Sequence, residues 1–384
     1  MERDMTQLKD NYEGWLMYHS VGLFPGQEEA VGGALADYTR QWCRRDGSRW
    51  EYGLHARDHM LGLWSRLIRC EAAHTFATEN VTEAFGRFVS AIGPSRLRGR
   101  KVLVAADCFP SLHFLLSGLA ARIGFDLVTV PLRAGASYVE DDDYVAHWDA
   151  EVALAIITWV TSTTSKRADL TRLATHGRAQ GSLIAVDITQ AAGVLDFDVN
   201  SPQVDFVAST ALKWLCGAPG TGLAYIAPHL LDEHLAPLFQ GWFSQPDPFN
   251  WDITRFSLAP EARRFDNGTP SFLPYVASTP GIEWLLAQPD GAVRAHNLAL
   301  SQRLIDIVDE LGFALLSPRA DVERGGSVMA QLPIGQEPDA VVGGLRERGF
   351  EIDSRGRTLR FSPGPLTSAA ALDRLAPALH RTGS

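Results

Sequence analysis

The sequence predicts an α/β fold: a mainly parallel sheet covered by helices, with a smaller α+β unit after it. Three observations lead there. Six short apolar runs lie between residues 101 and 227, segments of helical spacing separate them, and the pattern changes style toward the C-terminus. Apolar runs without alternation suit strands buried on both faces, and the helices between them supply the crossovers that parallel pairing needs.

Taken in order, residues 56–73 and 80–93 have the apolar spacing of helices. KVLVAA (101–106) is the first strand, followed by a helix over 110–124 and the strand LVTVP (127–131). VALAIITWV (152–160), a helix over 168–181 ending at Gly181, and SLIAVD (182–187) come next. DFVAS (205–209) and GLAYIA (222–227) complete the series. Residues 241–272 are rich in aromatics, Arg, Pro and Asn with little periodicity, which is the character of a long functional loop. A long amphipathic helix covers 292–312. Strands at 328–333, 350–353 and 358–362, a helix at 339–349 and a final Ala-rich helix follow. The expected organisation is an N-terminal segment (1–55), a large α/β domain (56–285) and a small C-terminal α+β domain (286–384).

A chain of 384 residues buries a sizeable core without disulfides or a structural metal. Its formal net charge is −10, with no block of Lys or Arg, which argues against nucleic acid or a membrane surface as partner. Cys43, Cys70, Cys108 and Cys216 are widely spaced and form no CxxC pair, which suits a reducing compartment. The charged N-terminus lacks the apolar core of a signal peptide, and no apolar run approaches the ~20 residues that span a bilayer. A soluble cytoplasmic protein is expected.

Residues 184–226 carry the chemistry. Asp187 ends a strand, where ligands of open α/β sheets collect, although a strand-end Asp also serves as a turn or cap residue. Lys213 follows the strand at 205–209 inside the apolar run A-L-K-W-L. Such a lysine either snorkels to solvent or is a desolvated amine that reacts with a carbonyl. The Gly-rich stretch 217–222 lacks the GK[ST] ending of a phosphate loop.

Asp187-x-x-Gln190, Asp205-Phe206 and Lys213-Trp214-Leu215 with G-x-P-G-x-G after it resemble the class V aminotransferase family, pyridoxal 5′-phosphate (PLP) enzymes of fold type I. The nearest branch holds kynureninases, isopenicillin-N-epimerase-like proteins and cysteine-conjugate lyases. Further motifs follow in family order: H-S-V-G-L-F-P (19–25), F-P-S-L-H (109–113), G-W-F (241–243), R-F-D-N-G-T-P (264–270) and L-R-F-S-P (359–363). The resemblance implies a seven-stranded, mainly parallel sheet and PLP as cofactor. It makes Lys213 the Schiff-base and proton-shuttling lysine and sets Asp187 against the pyridine nitrogen, where a carboxylate favours the charged ring. It gives Gln190 the phenolic oxygen and Phe109 the ring face. Asn80, Val81 and Thr82, at the start of a helix, and the Thr210 hydroxyl would hold the phosphate. Thr269 and Trp242 would reach the neighbouring subunit of a homodimer. Arg360 would bind the substrate's α-carboxylate, and His19 would face the substrate.

Departures narrow the expectation. Leu212 stands where kynureninases carry Tyr before the lysine, Gln245 replaces their His after G-W-W-G, and 318–358 lacks the Cys of a desulfurase. Cys216 reads as a packed small residue. His74 and His113 read as structural, and Arg255, Arg263 and Arg264 as a solvated cluster or a seat for an anionic substrate tail. The expected reaction is carbon–sulfur β-elimination of a cysteine S-conjugate in secondary metabolism. Decarboxylation-coupled deamination, transamination and epimerisation stay open, as does an inactive PLP-fold binding protein.

Overall fold

The computed structural model describes residues 12–233 and 235–382. The charged N-terminus at 1–11 lies outside the described residues. Seven strands build the large sheet: β1 (Thr75–Thr78), β2 (Lys101–Ala105), β3 (Asp126–Val130), β4 (Val152–Thr158), β5 (Leu183–Asp187), β6 (Phe206–Thr210) and β7 (Gly222–Ile226). Their spatial order is β1-β7-β6-β5-β4-β2-β3. Pairs from β6 through to β3 are parallel, and β7 runs antiparallel to both of its neighbours.

The helices are α1 (Gln27–Trp42), α2 (Arg49–Leu67), α3 (Val81–Leu97), α4 (Pro110–Ile123), α5 (Asp141–Ala146), α6 (Leu170–Ala179), α7 (Pro228–Asp232), α8 (Leu273–Leu286), α9 (Ala292–Glu310), α10 (Pro338–Arg346) and α11 (Ala369–Thr382). Successive strand residues feed opposite faces, as a period of two requires. On β5, Ile184 and Val186 join one apolar cluster with Trp64 of α2, Leu173 of α6 and Ile282 of α8. Leu183 and Ala185 join the other, with Phe85 and Phe88 of α3 and Leu112 and Leu116 of α4. Phe88 stacks on Phe206 of β6 with ring centroids 4.2 Å apart, a contact whose truncation to Ala costs about 3–5 kcal/mol. Double coverage explains why these strands are continuous apolar runs.

The C-terminal sheet is antiparallel, ordered β10 (Asp353–Arg355), β11 (Thr358–Phe361), β9 (Val328–Gln331), β8 (Ala314–Leu315). α9, α10 and α11 close its core around Leu304, Leu345, Leu375 and Phe361. Leu16 enters this core too, because residues 15 and 17 bridge to Glu351 and Ser362. No described helix is long and apolar enough to cross a membrane.

The parallel sheet and the α+β C-terminus follow the sequence pattern. Six elements, α1, α5, α7, α8, β1 and β8, were not expected. β1 and β8 span only four and two residues, α8 carries Pro274 and Pro280, and α1 buries only Tyr38 fully, so its apolar stripe is weak. The helix expected over 56–73 is α2, starting at Arg49 and ending at Leu67. The strand expected at 350–353 is displaced: Glu351 pairs with Trp15, and β10 begins at Asp353.

The segment after Met17 passes under the loop that follows β6. Gly22 donates its N–H to the Leu212 carbonyl at 2.9 Å, and a Cβ on Gly22 would sit 1.8 Å from the Lys213 carbonyl oxygen. Gly22→Ala is therefore expected to lower unfolding free energy by about 1–3 kcal/mol in a urea titration. Gly32→Ala, in α1 where a Cβ meets nothing within 4 Å, is expected to raise it by about 0.5–1 kcal/mol. Equal midpoints for the two variants would contradict the packing described.

Candidate active site

Parallel pairing brings the carboxyl ends of β4, β5 and β6 side by side. Thr158 pairs with Asp187, Asp187 with Ala208, and Thr210 closes β6. A cavity of about 500 Å³ opens there. Eight of the residues expected from sequence line it: Asn80, Val81, Thr82, Phe109, Asp187, Gln190, Thr210 and Lys213. Thr158, Val160, Ser162, Thr189 and Leu212 complete much of the wall.

Lys213 stands in the turn after β6. Cys216 N–H bonds its carbonyl at 2.8 Å, and Ala211 N–H bonds Thr221 O at 2.9 Å. The amine is 5.3 Å from the centre of the Phe109 ring. Burial pushes its pKa down from 10.5 to about 8; Asp187 opposes that shift, while the charges of Arg360 and Arg355 add to it. Asp187 is buried and accepts the Thr189 N–H at 2.9 Å. Burial pushes its carboxyl up, against the pull of the Thr189 bonds and the Lys213 charge. A carboxylate desolvated in this way gains from any cation placed against it.

At the other end of the cavity, Asn80 caps α3 by accepting the Glu83 N–H at 2.9 Å. The first-turn N–H groups at Val81 and Thr82 have no partner within the helix, which makes this end a seat for an anion. Gly222 of β7 lets α3 approach so closely: a Cβ there would lie 2.3 Å from Thr78 Oγ1 and 2.7 Å from Asn80 N. Among the described residues, two buried hydroxyls on the wall, Thr158 and Ser162, have no hydrogen-bond partner. Unpaired buried hydroxyls are costly, and a polar ligand in the cavity relieves that cost. The donor set therefore fits PLP: a desolvated amine for its aldehyde, a buried carboxylate for its ring nitrogen, an aromatic face and a helix start for its phosphate.

A polar chain links the cavity to the C-terminal sheet. Gln190 Nε2 donates to His19 O at 3.0 Å, and Trp214 Nε1 donates to Gln190 Oε1 at 3.1 Å. His19 is buried, which pushes its pKa down and favours the neutral ring. Its partners assign the proton to Nε2, which lies 3.0 Å from Asp353 Oδ1, while Nδ1 lies 2.7 Å from the Ser362 hydroxyl. Asp353 faces Arg360 across the β10–β11 register. It accepts from Arg360 Nε at 2.7 Å and from Nη2, and Arg360 Nη1 points to Ser162 O at 3.4 Å.

Trp242 and Thr269 are not on this cavity. Trp242 packs among Trp50, Phe243, Phe249 and Trp251, and Thr269 lines a separate cavity of about 310 Å³ beside Arg57, Glu83, Arg87 and Asp266. Arg264 is buried and spent on carbonyls of Ala259, Pro260, Leu231 and Leu235, and Arg255 is exposed beside Asp252. Neither offers a seat for a substrate anion. His113 bonds Thr129 Oγ1, and His74 packs edge-on against Tyr225. Cys216 is fully buried, with its thiol pushed up by burial. Sequence reasoning missed Thr158, Ser162, Thr189 and Asp353. The hydroxyl-rich run T-W-V-T-S-T-T-S at the end of a strand (158–165) was the available signal for the first two.

Comparison with known proteins agrees with this geometry. The family model described as Aminotransferase class-V matches residues 65–369. A kynureninase from Deinococcus radiodurans is 28% identical over 361 residues, covering 91% of this chain and 84% of its own. The isopenicillin N epimerase of Streptomyces clavuligerus is 30% identical over 329 residues, covering 82% of this chain and 81% of its own. Among solved structures, the cystine C-S lyase C-DES with its product cysteine persulfide superposes at a TM-score of 0.86, with 19% identity, over 99% of this chain and all of that one. The cysteine desulfurase of Thermococcus onnurineus gives 0.84 at 18% identity, over 100% and 99%. The chain belongs to the class V aminotransferase family and is a PLP-dependent enzyme of fold type I.

Proposed function

We propose that the chain is a lyase that removes a sulfur substituent from the β-carbon of a cysteine S-conjugate, in secondary metabolism. The observation that carries this reading is a desolvated Lys213 amine in a cavity with no reactive thiol. Cys108 and Cys216 are both buried, the Cys108 thiol is pushed up to about 12, and neither lines the cavity. A desulfurase keeps the sulfur on a cysteine of its own, whereas elimination needs only a base at the α-carbon.

When bound, PLP supplies an electron sink for charge developing at the substrate's α-carbon. The residues do the rest. Asp187 would hold the cofactor's ring nitrogen in its charged form, Phe109 would cover a ring face, and Gln190 would contact the phenolic oxygen. Asn80, Val81, Thr82 and Thr210 would anchor the phosphate. Lys213 Nζ would take the α-proton; with a pKa pushed down to about 8, its neutral, proton-accepting form grows in through mildly basic pH. The Cα–H and Cβ–S bonds break, a C=C bond forms, and the sulfur leaves as a thiol. Water then releases pyruvate and ammonia. Arg360 would meet the α-carboxylate, and His19 would face the substrate.

A panel of cysteine S-conjugates tests the reaction. Equal amounts of pyruvate and thiol are expected from at least one conjugate. A keto acid that keeps the whole side chain, an aldehyde with carbon dioxide, or solvent deuterium at the α-carbon without other change would each overturn elimination. They would indicate transamination, decarboxylative deamination and epimerisation in turn.

The setting we propose is a cytoplasmic homodimer, its two sites at the subunit interface. Four unpaired cysteines suit that compartment. Leu238, Phe239, Trp251 and Ile253 are exposed beside the Trp242 cluster, a concentration of apolar surface that a second copy would cover. Thr269 and Trp242 would then serve the partner's site. Light scattering is expected to give twice the 42.0 kDa chain mass, and Trp251→Glu with Ile253→Glu to give monomers with weakened cofactor retention. A fully active wild-type monomer would contradict the arrangement.

A further inference from the structure

Gln190 lies in the turn that follows β5, and its side chain is buried on the cavity wall. A carboxamide can turn either its oxygen or its nitrogen toward a ligand, and the two states have nearly the same shape. Both ends of this one have partners of fixed kind. Trp214 Nε1, which only donates, meets Oε1 at 3.1 Å, and the His19 carbonyl, which only accepts, meets Nε2 at 3.0 Å. Reversing the amide would set carbonyl against carbonyl and N–H against N–H. One Nε2 hydrogen goes to His19 O, and the other has no partner among the described residues. What Gln190 offers a ligand in the cavity is therefore an N–H.

The indole that sets this polarity is itself held in place. Trp214 directly follows Lys213, is 3% exposed, and stacks on Tyr18 with ring centroids 5.6 Å apart. The Tyr18 hydroxyl donates to Leu23 O at 2.8 Å and accepts the Leu366 N–H at 3.0 Å. Gly326, in the loop before β9, leaves room at the far edge of the indole: a Cβ there would lie 2.5 Å from Trp214 Cη2. The N-terminal segment, the loop before β9 and the lysine loop thus converge on one ring, and its one polar atom is spent on Gln190.

We propose that Trp214 is a positioning residue of this site. It acts through Gln190: the indole N–H at Oε1 fixes the carboxamide as a hydrogen-bond donor toward the phenolic oxygen of PLP and bars the accepting orientation. A hydrogen bond to the anionic form of an oxygen favours that form and makes it a weaker base. The proton that this oxygen shares with the nitrogen joining the cofactor to Lys213 is then lost at lower pH. With the carboxamide untethered or replaced, that proton is held to higher pH. The proposal rests on PLP at Lys213 and on Gln190 at the phenolic oxygen, as read above.

A pH titration of the cofactor's yellow band in the PLP-loaded full-length protein tests it. The charges of Asp187, Arg355 and Arg360 bear on the same lysine and are the same in every variant. Gln190→Met is expected to raise the pH at which the band is half lost by about one unit or more, the worth of a hydrogen bond to a charged group. Trp214→Phe, which keeps a ring against Tyr18 but removes the N–H, is expected to raise it by about 0.4 unit or more. The double variant is expected to match Gln190→Met alone, because Trp214 acts only through Gln190. A wild-type midpoint in Trp214→Phe, or shifts that add in the double variant, would overturn the proposal and leave Gln190 at the phenolic oxygen. An unmoved Gln190→Met would remove that role of Gln190 and the proposal with it. A wild-type protein that takes up no PLP colour would bring down the PLP reading itself. A nitrogen-15 tryptophan label tests the same bond without altering Trp214: one indole N–H signal is expected to shift and exchange faster in Gln190→Met than in wild type. An unchanged set of indole signals would overturn the proposal.

Discussion

The Lys213 amine is kept partly out of water at a point set by main-chain bonds rather than by its own side chain. The loop that bears it is held from one side by Gly22 N–H on Leu212 O, from another by Ala211 N–H on Thr221 O, and internally by Cys216 N–H on Lys213 O. α8 closes on the same loop at Gly281, where a Cβ would lie 2.5 Å from Leu215 O. Contacts that close leave the loop little room to relax. The desolvation that lowers the amine's pKa is thus fixed by backbone packing, as a preorganised site requires.

Around that fixed point the charges are arranged in layers. Asp187 lies below, buried at the end of β5 and desolvated enough to favour a protonated ring nitrogen beside it. The capped start of α3 lies at the far end and carries no side-chain cation on the cavity wall, so a helix terminus and hydroxyls are what it offers to an anion. Above lies the small sheet, whose Asp353–Arg360 pair and His19 are tied through Ser362 to Ser327. His19 comes from the N-terminal segment and Asp353 and Arg360 from the C-terminal sheet, so this polar chain is assembled from both ends of the sequence.

The large sheet was legible because double coverage writes each strand as an uninterrupted apolar run, as in VALAIIT of β4. β1 escaped for the opposite reason: T-F-A-T is short, half polar, and pairs antiparallel at the sheet's edge beside β7. α8 escaped because Pro274 and Pro280 read as breakers, while its apolar sides pack against α1 and α2. In the site, Lys213, Asp187 and Asn80 were legible as residue types at element ends, and the family motifs gave them their order. Asp353 was invisible in that way. An acidic residue in a short strand has no signature of its own, and only the β10–β11 register reveals that it faces Arg360.

The reactivity of Lys213 bears most directly on all of this. Full-length protein freed of cofactor is mixed with PLP over a range from about pH 6 to about pH 11, reduced with borohydride, and digested for mass spectrometry. The rate of labelling should rise with pH as the ammonium loses its proton, reach half its plateau near pH 8, and place the label on the Lys213 peptide. A midpoint near the 10.5 of an ordinary lysine, or a label that persists unchanged in Lys213→Ala, would contradict a desolvated amine at this position.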